Sequence, residues 1–250
     1  MAGWNVFNDY NDRDIDAVNH PHRPIPAGQI DAESALEFSI GLMGTSLLLL
    51  IAAAGIAATA ADNLLQWLPA LAIWMSAAIG LFHYELGWKL KEKGLLGNIT
   101  VSYLVAFVII FGAAAVGAAF EPLPWCVAAS AFLVNLAREI VKDIEDLRGD
   151  LNRLTLPQRI GVEPARAVAY LVVVAGFSAS IIPYVPRFDM LPSVLLLTQL
   201  PALLILLTTV KIRLARGEDH RAQRSLRLAL MLGLIGFLIS SLVVRTGAIT

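Results

Sequence analysis

Seven stretches of the chain contain no Asp, Glu, Lys or Arg: Phe38 to Ala61, Asn63 to Tyr84, Gly94 to Phe120, Pro122 to Ala137, Ala167 to Pro186, Met190 to Val210 and Leu228 to Val244. Each is bounded by charged residues. A helix needs roughly 20 residues to cross about 30 Å of hydrocarbon, and these runs are of that order. They are too long and too uniformly apolar to be barrel strands. Because backbone polar groups in lipid must be satisfied within the segment, the pattern predicts transmembrane helices. The expected fold is an all-α polytopic transmembrane helical bundle with seven full membrane helices.

Composition agrees with this. Of 250 residues, 57% are hydrophobic and only 16% charged, where a soluble domain carries nearer a quarter. Membrane lipids are therefore the expected surroundings. The net charge of −1 comes with no soluble basic module, so nucleic acid is set aside as a partner. The single cysteine, Cys126, cannot form an intrachain disulfide.

Charge asymmetry sets the orientation. Numbering the loops alternately puts Arg13, Arg23, Lys89, Lys91 and Lys93 on one side. The stretch from Arg138 to Arg166 and that from Lys211 to Arg227 join them, giving seventeen of the nineteen Lys and Arg residues. Only Arg187 and Arg245 fall opposite. By the positive-inside rule the polar N-terminal segment faces the cytoplasm.

That segment holds the first acidic constellation, NDYNDRDID, residues 8 to 16. Asn8, Asp12 and Asp16 recur every fourth residue, which on a helix stacks them along one face with Asp9 beside them. Like charges so placed repel unless a cation neutralises them, and oxygen-only ligands suit a hard ion such as Mg²⁺. Pro21, Pro24 and Pro26 must then end the helix. Ala2 to Phe7 reads as the last turn or two of a further helix. So short an anchor would fray, so an upstream membrane hairpin is expected and the chain is read as N-terminally incomplete.

The second constellation is REIVKDIEDLRGD, residues 138 to 150, in which Asp143, Asp146 and Asp150 follow at i, i+3 and i+7 on one helical face. No Gly or Pro interrupts Trp125 to Arg148, so one helix of roughly 36 Å would carry these carboxylates to the cytoplasmic end. Two such sets on the same side suggest an ion cluster gripping a diphosphate, because Mg²⁺ shares one or two carboxylates with substrate phosphates. Arg23, Lys91, Arg138 and Lys142 are the candidate diphosphate-binding cations. Arg138 ends an apolar run at the membrane boundary and needs a partner there, either Glu139 or an incoming phosphate. The four histidines show no pair at zinc-ligand spacing.

These motifs resemble those of the intramembrane UbiA-type prenyltransferases. NDYNDRDID matches that family's NDxxDxxxD motif, RPIPAG (Arg23 to Gly28) its RPxPxG continuation, and KDIEDLRGD (Lys142 to Asp150) its second aspartate motif. KEKGLLGN (Lys91 to Asn98) is similar to its loop ahead of the next helix. The resemblance implies a single prenyltransferase domain over residues 1–250 and nine helices around a lipid-facing cavity, of which this chain would lack the first and most of the second. It also implies Mg²⁺ as cofactor, held by Asn8, Asp9, Asp12, Asp16, Asp143, Asp146 and Asp150, with Asp12, Asp16, Asp143 and Asp146 catalytic.

The activity so implied is transfer of a polyprenyl, specifically geranylgeranyl, group from its diphosphate to a lipid acceptor. REIVKDIEDLRGD looks most like the archaeal-type branch that adds a second isoprenoid ether to a glycerol phosphate lipid. The alternative is an aromatic acceptor of the quinone or chlorophyll type. A more distant alternative is a secondary transporter, which would place its carboxylates near the membrane midplane in broken helices. The expected location is the cell membrane, multi-pass, with the active site facing the cytoplasm.

Overall fold

The computed structural model describes residues 2–60, 64–148 and 154–247, and the described residues contain helices and no strand. It divides into two compact units, Met1–Leu68 and Pro69–Thr250.

In the first unit, α1 (Ala2–Asn11) and α2 (Arg13–Asn19) carry the first acidic motif, and α3 (Ala32–Ala60) is a long apolar helix. Asp31 starts α3: its Oδ1 accepts the backbone N–H groups of Glu33 (2.9 Å) and Ser34 (3.0 Å), two donors that have no partner within the helix. α1 packs on α3 through Gly3. A Cβ at Gly3 would lie 2.8 Å from the Ser39 carbonyl oxygen and 2.9 Å from Met43 Cγ, so only glycine permits this approach.

The second unit contains α4 (Leu68–Glu85), α5 (Leu95–Ala115), α6 (Pro122–Glu145), α7 (Leu156–Ile160), α8 (Val162–Ile181), α9 (Leu200–Leu204), α10 (Lys211–Ala215) and α11 (Asp219–Arg245). The central helix is α6, which packs against α5, α8 and α11. Of its most apolar 18-residue window 61% is buried, against 22% for α11. Its Val134, Ala137, Ile140 and Val141 meet Ala169 and Val173 of α8 and Ala222, Leu226 and Ala229 of α11 in one core cluster. Alanines at the crossings let backbones approach, which drives helix association in lipid, where burial gives no advantage. Leu238, Ile239 and Leu242 of α11 and Leu171 of α8 stay exposed, as lipid-facing positions should.

Among the described residues, six helical stretches are long and apolar enough to cross a membrane: Ala32–Ile56, Leu95–Ala115, Pro122–Glu145, Val162–Tyr184, Ser193–Ala215 and Asp219–Arg245. The remaining expected run, from Asn63, forms a 3-10 turn (Leu64–Trp67) followed by the 18-residue α4. Its polar end, His83-Tyr84-Glu85, shortens the apolar portion.

Two expected helices depart from regularity. The helix through the second motif starts at Pro122, earlier than Trp125, and ends at Glu145; residues Asp146–Arg148 tighten into a 3-10 turn, a common way to close a helix end. The run from Met190 to Val210 is composite: a 3-10 stretch Ser193–Gln199, then α9, a π-helical turn Ile205–Val210, and α10. Pro201 lacks the N–H that would continue an α ladder through this point. Beside it the buried Gln199 side chain donates to Tyr184 Oη (3.0 Å) and the Gly233 carbonyl (3.2 Å).

Candidate functional site

In the first unit the expected helical face is maintained across the break between α1 and α2. Backbone N–H groups of Asp12, Asp16 and His20 donate to the carbonyls of Asn8 (2.8 Å), Asp12 (2.8 Å) and Asp16 (2.7 Å) respectively, so Asn8, Asp12 and Asp16 sit one turn apart. The helix stops at Asn19, ahead of Pro21, and a series of turns brings Arg23 back onto the motif. Its Nη1 lies 2.6 Å from Asp16 Oδ2 and 3.3 Å from Asp9 Oδ1. Burial pushes the Asp9 carboxyl above the usual carboxylate range; the Arg23 guanidinium opposes this, and the Asp16 and Asp12 charges reinforce it.

In the second unit Asp143 occupies the last turn of α6 and Asp146 begins the 3-10 turn that follows. Asp150 lies outside the described residues. Asn98, in the first turn of α5, donates its Nδ2 to Asp143 Oδ2 at 2.8 Å. A hydrogen-bonded chain continues inward between the two helices. Ser102 Oγ donates to the Asn98 carbonyl (2.7 Å) and accepts from Asn135 Nδ2 (3.2 Å). Asn135 Oδ1 accepts from Arg138 Nη1 (3.0 Å), which also pairs with Glu139 Oε1 (2.5 Å). Lys142 Nζ stands 3.9 Å from Glu139 Oε2. Of the two partners foreseen for Arg138, the protein itself supplies Glu139.

Lys91, in the turn Leu90–Glu92 before α5, is set deeper than a phosphate-binding surface lysine. Its Nζ lies 2.6 Å from Glu85 Oε2, with side chains 10% and 3% exposed. Gly94 fixes this turn: its φ is +56°, and a Cβ would lie 2.2 Å from the Leu154 carbonyl oxygen. The same end of the unit is clasped by Arg166, whose Nε lies 2.8 Å from Asp219 Oδ1 and Nη2 2.5 Å from Oδ2, and by His220 Nδ1 with Glu145 Oε1 at 2.7 Å. These contacts join the starts of α8 and α11 and the end of α6.

Sequence reasoning assigned no role to Ser102, Asn135 and Glu85, and noticed Asn98 only as the end of a loop motif. The available signal was a polar amide inside an otherwise apolar run, which in a membrane helix marks an interior contact.

The donors of both motifs are carboxylate and amide oxygens, the set a hard divalent cation takes. Asp9 and Asp16 already converge on one positive charge, the Arg23 guanidinium, and the neighbouring Asp12 and Asp16 charges still add to the upward shift of Asp9. The first motif thus fits a cation. Among the described residues no group of three or more His, Cys, Asp or Glu side chains converges into a metal cage by itself.

Helices of membrane length, with acidic motifs at helix ends in each unit and an amide holding one carboxylate of the second, define a polytopic membrane protein. Residues 1–232 match the model of the UbiA prenyltransferase family, and the chain belongs to that family. Digeranylgeranylglyceryl phosphate synthase of Methanopyrus kandleri is 37% identical over 244 residues, spanning 96% of this chain and 83% of that protein. The protein of the same name from Thermococcus gammatolerans is 38% identical over 246 residues, spanning 96% and 82%. A solved structure from work on digeranylgeranylglyceryl phosphate synthase in membranes superposes with a TM-score of 0.68 at 25% identity, covering 96% of this chain and 80% of that one.

Proposed function

We propose that this prenyltransferase transfers a geranylgeranyl group from its diphosphate to geranylgeranylglyceryl phosphate, forming the second ether bond of a glycerol phosphate lipid. The observation that carries the acceptor assignment is the identity, maintained along nearly the whole chain, to synthases named for that product. Residues 1–250 act as one domain in the cell membrane, with both acidic motifs on the cytoplasmic side, as the distribution of Lys and Arg supports.

Asn8, Asp9, Asp12 and Asp16 of the first motif and Asp143, Asp146 and Asp150 of the second would hold Mg²⁺, with Asp12, Asp16, Asp143 and Asp146 essential for turnover. When bound, the metal neutralises charge on the departing diphosphate. Arg23 balances the carboxylates of Asp9 and Asp16 in the first motif and would be freed for phosphate oxygens were cations to take over that balance. Arg138, held between Asn135 and Glu139, and Lys142 present positive charge beside the second motif. Lys91 acts on the diphosphate through its hold on the turn ahead of α5. The apolar helices exclude water from the allylic cation that C–O cleavage leaves, so that the acceptor hydroxyl captures it and gives up its proton.

The test is to incubate the purified protein with Mg²⁺, geranylgeranyl diphosphate, geranylgeranylglyceryl phosphate and 4-hydroxybenzoate together, and to identify products by mass spectrometry. A doubly prenylated glycerol phosphate is expected. A prenylated benzoate would move the protein to the aromatic branch.

A further inference from the structure

We propose that Asn98 is a positioning residue that holds the Asp143 carboxylate in its metal-binding orientation. The proposal rests on the reading of Asp143 as a Mg²⁺ ligand. Asn98 is 8% exposed and begins an apolar membrane helix, where an amide without a defined partner is strongly disfavoured. Its Nδ2 donates to one carboxylate oxygen of Asp143, 45 positions along the chain, at 2.8 Å.

The chemistry of this contact suits a metal ligand. A lysine or arginine in the same place would fix Asp143 but also repel an incoming cation. A neutral amide restrains rotation of the carboxylate and keeps its negative charge available. Asn98 is itself fixed at both ends. Its N–H donates to the Gly94 carbonyl (3.2 Å) and its carbonyl accepts Ser102 Oγ. Ser102 is in turn bound by Asn135 of α6, the residue that also accepts from Arg138. One buried serine thereby ties together the amide that orients an acid and the amide that orients a base, and it sets the register of α5 on α6. Hydrogen bonds to metal ligands of this kind are typically worth about 10- to 100-fold in metal affinity.

The experiment compares wild type, Asn98→Ala, Asn98→Leu and Asp143→Ala in detergent. Mn²⁺ binding is read by electron paramagnetic resonance, thermal unfolding is read without metal, and activity is read as a function of Mg²⁺. Asn98→Ala is expected to bind Mn²⁺ about 10- to 100-fold more weakly, to keep its unfolding midpoint within a few degrees, and to regain turnover at high Mg²⁺. Asn98→Leu preserves the side-chain volume and removes the donor, so it carries the same test should the alanine variant fold poorly. Asn98→His, which retains an N–H donor, should restore part of the affinity. Unchanged Mn²⁺ affinity in folded Asn98→Ala and Asn98→Leu, with Asp143→Ala weakened, overturns the positioning role alone. Unchanged affinity in Asp143→Ala overturns the ligand reading beneath it.

Discussion

Lys91 Nζ lies 2.6 Å from Glu85 Oε2, and both side chains are almost sealed from solvent. An ion pair so placed joins the end of α4 to the turn before α5, the helix that carries Asn98. Removing one member leaves a buried uncompensated charge, which costs about 3–5 kcal/mol. Lys91→Met should therefore lower the unfolding midpoint markedly in detergent, and Lys91→Met combined with Glu85→Leu should recover much of the loss. If the single variant keeps full stability and loses only affinity for the diphosphate donor, Lys91 contacts that donor directly.

Asp12 stands on the face shared with Asn8 and Asp16. Asp12→Asn preserves shape and removes one negative charge. Turnover should fall by about 10²- to 10³-fold or more, the scale on which single electrostatic groups act in catalysis. Far-ultraviolet circular dichroism should stay unchanged. Near-normal turnover would remove Asp12 from the ligand set.

Gly3 bears directly on the placement of the first motif. Gly3→Ala puts a methyl group within 2.8 Å of the Ser39 carbonyl oxygen and 2.9 Å of Met43, so α1 must shift away from α3 and carry Asn8 and Asp9 with it. Misplacement of a reacting group by about 1 Å can cost about 100-fold in rate, so turnover should fall by about 10- to 100-fold with little change in helix content. Wild-type turnover in Gly3→Ala would show that the motif is held by other contacts.

Asp31 gives a pH prediction. Its hydrogen bonds from Ser34 and, secondarily, Glu33 hold its carboxyl below the usual carboxylate range. A carboxylate with a lowered pKa in the folded protein contributes stability above the unfolded value, and that contribution is lost as pH falls through the folded one. Protection of the amides at the start of α3, taken relative to the intrinsic exchange rate at each pH, should therefore fall below about pH 4 in wild type. In Asp31→Asn, which still accepts these bonds but does not titrate, protection should show no such step.

The membrane helices were legible because a 20-residue apolar run has few alternatives in a chain this poor in charge. The face shared by Asn8, Asp12 and Asp16 was legible because it follows from local periodicity, and its end because of Pro21. What joins Asn98 to Asp143 was not, since no local rule states which face of α5 meets α6. The depth of Lys91 was hidden for a similar reason. Positive charge in a loop normally reports topology, and only the position of Glu85 shows that this lysine is drawn inside. The membrane helix at Ser193–Ala215 was expected, but its composite character was not legible because Pro201 sits in a run whose hydropathy looks uniform.

That composite helix has a consequence for how the chain can vary. A π-helical turn holds roughly one residue more than the α turn it replaces, so Ile205–Val210 stores a surplus residue between α9 and α10. Leu203 and Leu206 before or within it, and Leu214 after it, are all buried, so the segments on either side are each in packing register. Deleting one residue inside Ile205–Val210 would relax the turn to α geometry and leave both neighbours seated. The same deletion in α6 would rotate every downstream side chain by about 100°. Ile205–Val210 is thus a point within a described membrane-length helix where length can change by one while the flanking helical segments keep their register.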